Sequence, residues 1–201
     1  FYQCDADVVG TNSLICEIEL ISLITEILNE LNLSDHTIMI NNRKILYGLV
    51  ETCNSIEYFS KITATIDKID KIGQNKVIEE LKNNIPNQNC WKLFNELFSL
   101  DNSTQFILSW LSKKLESNQE GLKGLQELNY IVDNAEELGI NNLKINISLA
   151  RGLDYYTGSI FEVILNNHSM GSIVGGGRYD NLTEVFGQSN LSGVGISFGA
   201  E

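Results

Sequence analysis

Two short stretches in the last third of the chain constrain the fold more than any other part of the sequence. The first is Arg151-Gly-Leu-Asp-Tyr-Tyr-Thr-Gly158, and the second is Gly175-Gly-Gly-Arg-Tyr-Asp180. Between them, the composition predicts a strand over residues 159–165, a turn at 166–168 and a return strand that starts at 171–174. The first stretch is therefore predicted to lie where a sheet passes into a loop.

The residues around these stretches support the same interpretation. Ile145, Ile147 and Leu149 alternate with polar residues, which is the pattern of a half-buried strand leading into the first stretch. The three successive glycines of the second stretch allow a ligand or a neighbouring strand to approach the backbone closely. Taken singly, each stretch also fits a tight corner whose arginine and aspartate form a structural ion pair.

Together and in this order, the two stretches resemble the two signature loops of the histidyl-tRNA synthetase family, RGLDYYTG and GGGRYD. Residues 1–9 resemble the second half of motif 2 of class II synthetases, and residues 192–201 resemble motif 3. The resemblance thus covers a piece that runs from within motif 2 to within motif 3. It implies an α+β fold, in which a mostly antiparallel class II catalytic sheet carries flanking helices.

The hydrophobic period divides the chain into three parts. Strand patterns at 1–9 and 36–40 surround a helix over about 14–31, and the period is helical from about residue 45 to residue 143. We therefore predict a first part of the catalytic core at 1–44, an all-helical insertion at 45–143 and a second part of the core at 144–201. Within the insertion, Gly73 is predicted to end a helix that contains Ile62, Ile66 and Ile69, and Gly139 to end the last helix.

Four residues are candidates for binding the amino-acid substrate. Gln3 and Asp7 lie four residues apart on one side of the first strand, roughly 13 Å along it. The pattern alone favours a polar, solvent-facing side. The resemblance instead implies that Gln3 contacts the amino group of histidine and that Asp7 contacts its imidazole ring. It also implies that Tyr155 and Tyr156 line the imidazole pocket.

Arg151 is the candidate catalytic residue. The resemblance implies that its guanidinium group holds the substrate carboxylate and the α-phosphate of ATP, a task that suits a planar and permanently charged fork. Asp154 is predicted to brace the loop rather than to react. The three glycines of the second stretch are predicted to support this loop: Gly175, Gly176 and Gly177.

Glycines also dominate one side of the last strand pattern. Gly193, Gly195 and Gly199 leave that side nearly bare, so a flat ring such as adenine can lie on it. A strand packed closely against another backbone fits the pattern equally well. The resemblance to motif 3 favours an ATP-binding floor, with ATP and Mg²⁺ entering as a substrate complex.

Composition limits the other classes of site. A net charge of −12 argues against an extended nucleic-acid surface, so contact with tRNA is expected to be local. No apolar run has the length of a membrane span, and no signal peptide opens the sequence, so we predict a cytoplasmic protein without membrane contact. With two histidines and four scattered cysteines, we predict no metal site and core thiols in a reducing compartment: Cys4, Cys16, Cys53 and Cys90.

The implied activity is that of a histidine–tRNA ligase, which activates L-histidine with ATP to histidyl-adenylate and transfers it to tRNA(His) as a homodimer. The resemblance places one required arginine before Phe1 and another after Glu201, so this piece alone is expected to be inactive. Two alternatives are a histidine-binding regulatory subunit of ATP phosphoribosyltransferase and a synthetase-like sensing module. The intact Arg151–Gly158 stretch argues against both, because such proteins usually lose it.

Overall fold

The computed structural model describes residues 2–100, 103–150, 155–167, 171–181, 187 and 191–199, which form six strands and eight α-helices. The strands are β1 (Gln3–Val9), β2 (His36–Asn42), β3 (Leu143–Ile145), β4 (Ser159–Leu165), β5 (Val174–Tyr179) and β6 (Gly193–Gly199). The helices are α1 (Ile15–Glu30), α2 (Arg43–Thr52), α3 (Phe59–Ile66), α4 (Ile69–Ile72), α5 (Gln74–Asn84), α6 (Gln88–Phe98), α7 (Thr104–Lys114) and α8 (Gln119–Glu137).

The six strands form a single sheet in the order β1-β6-β5-β4-β2-β3. Every neighbouring pair is antiparallel except β2 and β3, which are parallel. The predicted α+β fold with a mostly antiparallel sheet is thus confirmed. The strand predicted at 159–165 is β4, and the GGGRYD stretch lies mostly within strand β5 rather than in a loop.

Alternation along the strands gives the sheet two different faces. Asp7 pairs with Gly195, and Gly193 pairs with Tyr179, so these residues share one side, which we call the cavity face. Arg178 pairs with Val194 on the opposite side, which we call the helix face because α1 packs there. The apolar stripe of α1 is buried, including Ile21, Ile24 and Leu28.

The helices α2 to α8 lie between β2 and β3 in the chain, where the insertion was predicted. Helices α2 and α8 cross very closely, because a Cβ atom on Gly48 would lie 2.7 Å from the Cα atom of Gly121. Lys44 and Glu127 form an ion pair of 2.6 Å across the same contact. The insertion boundaries at 44/45 and 143/144 stay a prediction, since one continuous core joins these helices to the sheet.

Two expectations about elements were wrong in detail. The helix predicted to run from Ile62 to Gly73 is interrupted, because α3 ends at Ile66 and α4 begins at Ile69; Gly73 does follow α4 with a φ of 81°. The strand predicted through Leu149 ends at Ile145. Beyond it, the amide of Asn41 donates to the carbonyls of residues 147 and 149, so their backbone bonds to a side chain instead of a strand.

The predicted end of the last helix is confirmed. Gly139 follows α8 with a φ of 78°, as expected for a residue that ends a helix. His168 of the predicted turn lies outside the described residues. In the part of the chain that is described, no helix combines the length and apolar character that a membrane crossing requires.

Candidate functional site

The centre of the candidate site is a contact between Asp7 of β1 and Tyr179 of β5, which meet across strand β6. The hydroxyl group of Tyr179 donates a hydrogen bond of 2.6 Å to Oδ1 of Asp7. Glycines make this contact possible. A Cβ atom on Gly193 would collide with the ring of Tyr179, and one on Gly195 would collide with the carboxylate of Asp7. Two glycines of β6 thus leave room for two functional side chains.

Tyr155 and Tyr156 form the next wall of the site. Their ring centroids lie 4.5 Å apart, with the rings tilted at 60°. The ring of Tyr156 lies on Gly177, where an added Cβ atom would approach Cδ1 to 2.8 Å. Thr157 then fixes this segment to β5, because its N–H donates to the carbonyl of Arg178 over 2.8 Å. The two tyrosines are therefore held against a glycine surface.

These residues line an open cavity of about 190 Å³ on the cavity face, in which Asp5 and Asp7 are exposed. Its lining combines two carboxylates, three phenols and a backbone surface that is mostly glycine: Asp5, Asp7, Tyr155, Tyr156, Tyr179, Gly175, Gly176, Gly195, Ile196 and Ser197. The volume is below the roughly 300–1,000 Å³ of typical ligand pockets, so it fits one small side chain. At Tyr155 and Tyr156 the cavity adjoins a larger one of about 760 Å³, which helix α3 lines from the insertion side.

Three ionisable groups of the cavity have pKa values shifted by their surroundings. Burial, and then the hydrogen bond with Tyr155, raises the pKa of Tyr156 above its ordinary value. Burial, and then the bond to Asp7, raises the pKa of Tyr179. Hydrogen bonds from Ser197 and then from Gln3 lower the pKa of Asp5. Near neutral pH the phenols of Tyr156 and Tyr179 therefore keep their protons and can donate hydrogen bonds, and Asp5 is ionised.

This arrangement is suited to recognising a small ring that carries N–H donors. A carboxylate has about four lone-pair sites, so Asp7 can accept a ligand N–H in addition to the bond from Tyr179. Asp7 is exposed, so a ring that covers it and lacks N–H groups would remove its contact with water without replacing it, which disfavours such ligands. Within the described ranges, no group of three or more His, Cys, Asp or Glu side chains could hold a metal ion.

The structure brings together three of the five residues predicted to contact the substrate. Asp7, Tyr155 and Tyr156 line the cavity, although Asp7 lies at the opposite end of the sequence. Gln3 is on the same face but is exposed, and its amide donates to Asp5 over 2.9 Å; it does not line the cavity. Arg151 lies outside the described residues, and so does Asp154.

The predicted glycines also differ in where they lie relative to the cavity. Gly175 and Gly176 line the cavity, and Gly177 lies under Tyr156. Of the predicted ATP floor, Gly193 is covered by Tyr179 and Gly195 by Asp7. At Gly199 an added Cβ atom would meet only the carbonyl of Ile173, at 3.8 Å. The role of these β6 glycines in binding ATP stays a prediction, and two of them already have a packing role in the small cavity.

Tyr179 and Asp5 line the cavity but were not assigned to the site from the sequence. The two-residue period of a strand is the signal that could have found them. Tyr179 lies two residues after Gly177, and Asp5 lies between Gln3 and Asp7, so each shares a face with predicted site residues. No feature of the neighbouring sequence could predict the contact between Tyr179 and Asp7, because the two residues are 172 positions apart in the chain.

The helix face beneath the site holds a buried ion pair between Arg178 and Glu17. The Nε and Nη2 atoms of Arg178 each donate a bond of 2.6 Å to Glu17, whose side chain is fully buried. The remaining N–H groups bond to Ser192 and to the carbonyls of Thr11 and Ser13. Burial alone would lower the pKa of Arg178, but the bonds and charge of Glu17 raise it. All five donors are therefore used, which gives Arg178 a structural role.

Comparison with known proteins agrees with this geometry. The sequence model of the family described as histidyl-tRNA synthetase matches residues 1–201. A histidine–tRNA ligase of Porphyromonas gingivalis is 46% identical over 202 residues, which cover 100% of this chain and 44% of the relative. One of Flavobacterium johnsoniae is 45% identical over 204 residues, with 100% and 43% covered. The chain thus spans less than half the length of these curated relatives.

Solved structures give the same result for the fold. A histidyl-tRNA synthetase from Nostoc sp. PCC 7120 superposes with a TM-score of 0.90 at 35% identity, covering 98% of this chain and 48% of that one. A protein from Bacillus halodurans C, described as an ATP phosphoribosyltransferase regulatory subunit/histidyl-tRNA synthetase, superposes with a TM-score of 0.82 at 20% identity, covering 98% and 50%. The second similarity shows a shared fold only.

Proposed function

We propose, because this chain belongs to the histidyl-tRNA synthetase family, that it forms the histidine-binding part of a histidine–tRNA ligase. The contact between Asp7 and Tyr179 is the observation that carries the proposal. It places an acceptor carboxylate in a small cavity walled by Tyr155 and Tyr156. L-histidine is a ligand with a small ring and N–H donors that matches this cavity.

Within the cavity, the imidazole ring lies beside the ring of Tyr156, and one ring N–H donates to Asp7. Tyr179 holds the carboxylate in place, so the carboxylate does not have to be ordered when histidine binds. Gln3 contacts the substrate amino group after its side chain leaves Asp5. The bond from Gln3 to Asp5 is exposed, so breaking it costs little.

The activation step joins a carboxylate oxygen of histidine to the α-phosphorus of ATP and releases pyrophosphate. MgATP is the second substrate, and we place it along β6 towards Gly199. Arg151 holds the reacting carboxylate and an α-phosphate oxygen together and stabilises the charge that develops between them. The protein contributes position and charge, and no group of the chain forms a covalent bond to the substrate.

The acceptor end of tRNA(His) approaches through the cavity of about 760 Å³ between α3 and the sheet. That cavity adjoins the small one at Tyr155 and Tyr156, and Arg43 and Lys71 give it two cationic side chains beside Asp67. Such local positive charge accommodates an anionic strand despite the net charge of −12. We place the complete enzyme in the cytoplasm as a homodimer.

A chimaera tests the proposal directly. The corresponding 44% of the Porphyromonas gingivalis histidine–tRNA ligase is replaced by this chain, and histidine-dependent exchange of pyrophosphate into ATP is measured. We expect exchange from the chimaera, and a loss of roughly 10²–10³-fold with Arg151→Ala, since one charge partner of the transition state is removed. The chain alone should give no exchange.

Two outcomes would contradict the proposal. One is a folded chimaera that binds ATP but shows no exchange that depends on histidine. The other is exchange that survives Arg151→Ala undiminished. Lys68→Ala serves as the matched control, because Lys68 is an exposed cation that pairs with Glu80 on the insertion surface. It should leave exchange unchanged.

A further inference from the structure

Asp180 directly follows strand β5, and its carboxylate joins two segments that are distant from each other in the sequence. The hydroxyl of Thr157 donates to Oδ2 of Asp180 over 2.6 Å, and the backbone N–H of Asp180 donates back to that hydroxyl over 3.1 Å. The hydroxyl of Ser192 donates to Oδ1. One carboxylate oxygen therefore holds the segment before β4, and the other holds the segment before β6.

The segments of Thr157 and Asp180 each provide a wall of the small cavity. Tyr155 and Tyr156, which we call the tyrosine wall, directly precede Thr157 and line the cavity. Tyr179 directly precedes Asp180 and lines the cavity from strand β5. Thr157 and Asp180 do not line it themselves. The bond between them thus fixes the spacing of two walls from outside the cavity.

Ser192 determines what kind of side chain can stand at position 180. Its hydroxyl accepts a bond of 2.7 Å from Nη1 of Arg178, which can only donate. The hydroxyl proton of Ser192 is therefore available for Asp180, as the proton of Thr157 is. A carboxylate accepts from both hydroxyl groups, whereas an asparagine in its place would turn a donor towards one of them.

We propose that Asp180 is a positioning residue for histidine, which acts by holding the tyrosine wall at a fixed distance from strand β5. The proposal rests on the function proposed above and assigns a role in it to a residue outside the cavity. Because the wall is held before the ligand arrives, binding does not have to order the two phenol rings. Ordering side chains on binding costs affinity, so loss of the bond between Thr157 and Asp180 should weaken histidine binding.

A bond that only stabilises the fold has a different consequence. Thr157 keeps a second attachment to β5 without its hydroxyl, because its N–H donates to the carbonyl of Arg178 over 2.8 Å. If the hydroxyl contributed to stability alone, its removal would lower the free energy of unfolding and leave the histidine affinity of the folded chain unchanged. Histidine affinity therefore separates a positioning role from a stabilising one.

Two substitutions of Thr157 test the proposal by calorimetric titration with L-histidine. Thr157→Val removes the hydroxyl and keeps the shape of the side chain, whereas Thr157→Ser keeps the hydroxyl. We expect affinity to fall by roughly 5-fold or more in Thr157→Val, as when two side chains must be ordered, and to return to within about 2-fold in Thr157→Ser. Asp180→Asn should weaken binding at least as much as Thr157→Val.

Amide hydrogen exchange reports on the tyrosine wall without any ligand. Exchange over residues 155–158 should be faster in Thr157→Val than in the original chain or in Thr157→Ser, because the segment has lost one attachment to β5. Thr25→Val is the matched control. Thr25 is also partly buried, and its hydroxyl bonds only to the carbonyl of Ile21 within α1, over 3.0 Å. This variant should change neither histidine affinity nor exchange over 155–158.

The proposal is overturned if folded Thr157→Val binds histidine as tightly as the original chain, or if Thr157→Ser binds as weakly as Thr157→Val. Unchanged exchange over residues 155–158 in Thr157→Val would also overturn it. An original chain that binds no histidine would contradict the proposed function instead. Hydrogen exchange alone would then decide whether Asp180 holds the tyrosine wall.

Discussion

Arg178 and Tyr179 are neighbours on strand β5, so their side chains lie on opposite faces of the sheet. The two side chains differ in how completely the protein satisfies their hydrogen bonds. On the helix face, Arg178 uses every donor within the protein, and its partner Glu17 also accepts from Ser159 over 2.9 Å. On the cavity face, Tyr179 makes one bond to Asp7, which keeps acceptor sites for a ligand. A network in which every donor has an acceptor stabilises the fold, whereas a carboxylate with acceptor sites left over can bind a ligand.

The two faces are connected at the ends of β5 and β4. Thr157 donates to Asp180 over 2.6 Å, and Ser192 donates to the other carboxylate oxygen of Asp180 as well as accepting from Arg178. The segment that carries Tyr155 and Tyr156 is therefore fixed by bonds that continue into the helix face. We therefore predict that substitutions on the helix face mainly lower the free energy of unfolding, and that those on the cavity face mainly lower the affinity for the ligand.

The largest effect is expected for Glu17→Ala. This change leaves the buried guanidinium group of Arg178 without its carboxylate, so the free energy of unfolding should fall by about 3–5 kcal/mol. Denaturant unfolding of the two proteins measures it. Glu80→Ala breaks an exposed pair with Lys68 and should cost less than about 1 kcal/mol. Equal costs for both substitutions would contradict the stabilising role of the buried ion pair on the helix face.

A smaller effect, on binding, is expected for Gly195→Ala. The new methyl group would occupy the position of the Asp7 carboxylate and displace it from Tyr179. Histidine affinity should fall by about 1.5–3 kcal/mol, the usual contribution of a hydrogen bond to a charged group. Calorimetry of Gly195→Ala beside Gly199→Ala measures it, because an added Cβ at Gly199 would meet no atom closer than 3.8 Å. Similar histidine affinity in the two variants would show that Gly195 has no special role.

The smallest effect is an alkaline loss of stability through Tyr179. Its pKa is raised in the folded state, so above about pH 10 the unfolded chain loses a proton that the folded chain keeps. The unfolded state then binds fewer protons, and stability falls as the pH rises. Below that pH both states keep the proton, so the contribution of Tyr179 is fully present and does not change with pH. Unfolding measured at several pH values should show a shallower alkaline fall in Tyr179→Phe. An unchanged slope would mean that the environment of Tyr179 is not as described.

Much of this arrangement could be predicted from local sequence. Period-two patterns located β1 and β6, composition located β4, and glycines located the ends of α4 and α8. Such signals depend on neighbouring residues only. The period-two pattern predicted the wrong end for one strand, because a side chain distant in the sequence bonds to the backbone there. Ile147 and Leu149 alternate like strand residues and are buried, but the amide of Asn41 takes both of their carbonyls.

The candidate site shows the same limit. The resemblance to known synthetases identified Asp7, Tyr155 and Tyr156, and all three line one cavity. It did not identify Tyr179, whose role arises only when β1 and β5 are brought to either side of β6. Likewise, the bareness of Gly193 and Gly195 suggested a surface for adenine, whereas in the fold these positions make room for Tyr179 and Asp7. Which side chains meet across a sheet depends on how distant strands pair, and the periodicity of one segment does not show that pairing.

The central claim, that the cavity face binds L-histidine through Asp7, is tested most directly by calorimetric titration of the chain and of Asp7→Asn with L-histidine. The substitution keeps the shape of the side chain and removes its charge. We predict one histidine per chain, and an affinity that is lower by roughly 10- to 150-fold in Asp7→Asn, with an unchanged free energy of unfolding to within about 1 kcal/mol. Equal affinities in the two proteins, with both folded, would contradict the assignment of the site.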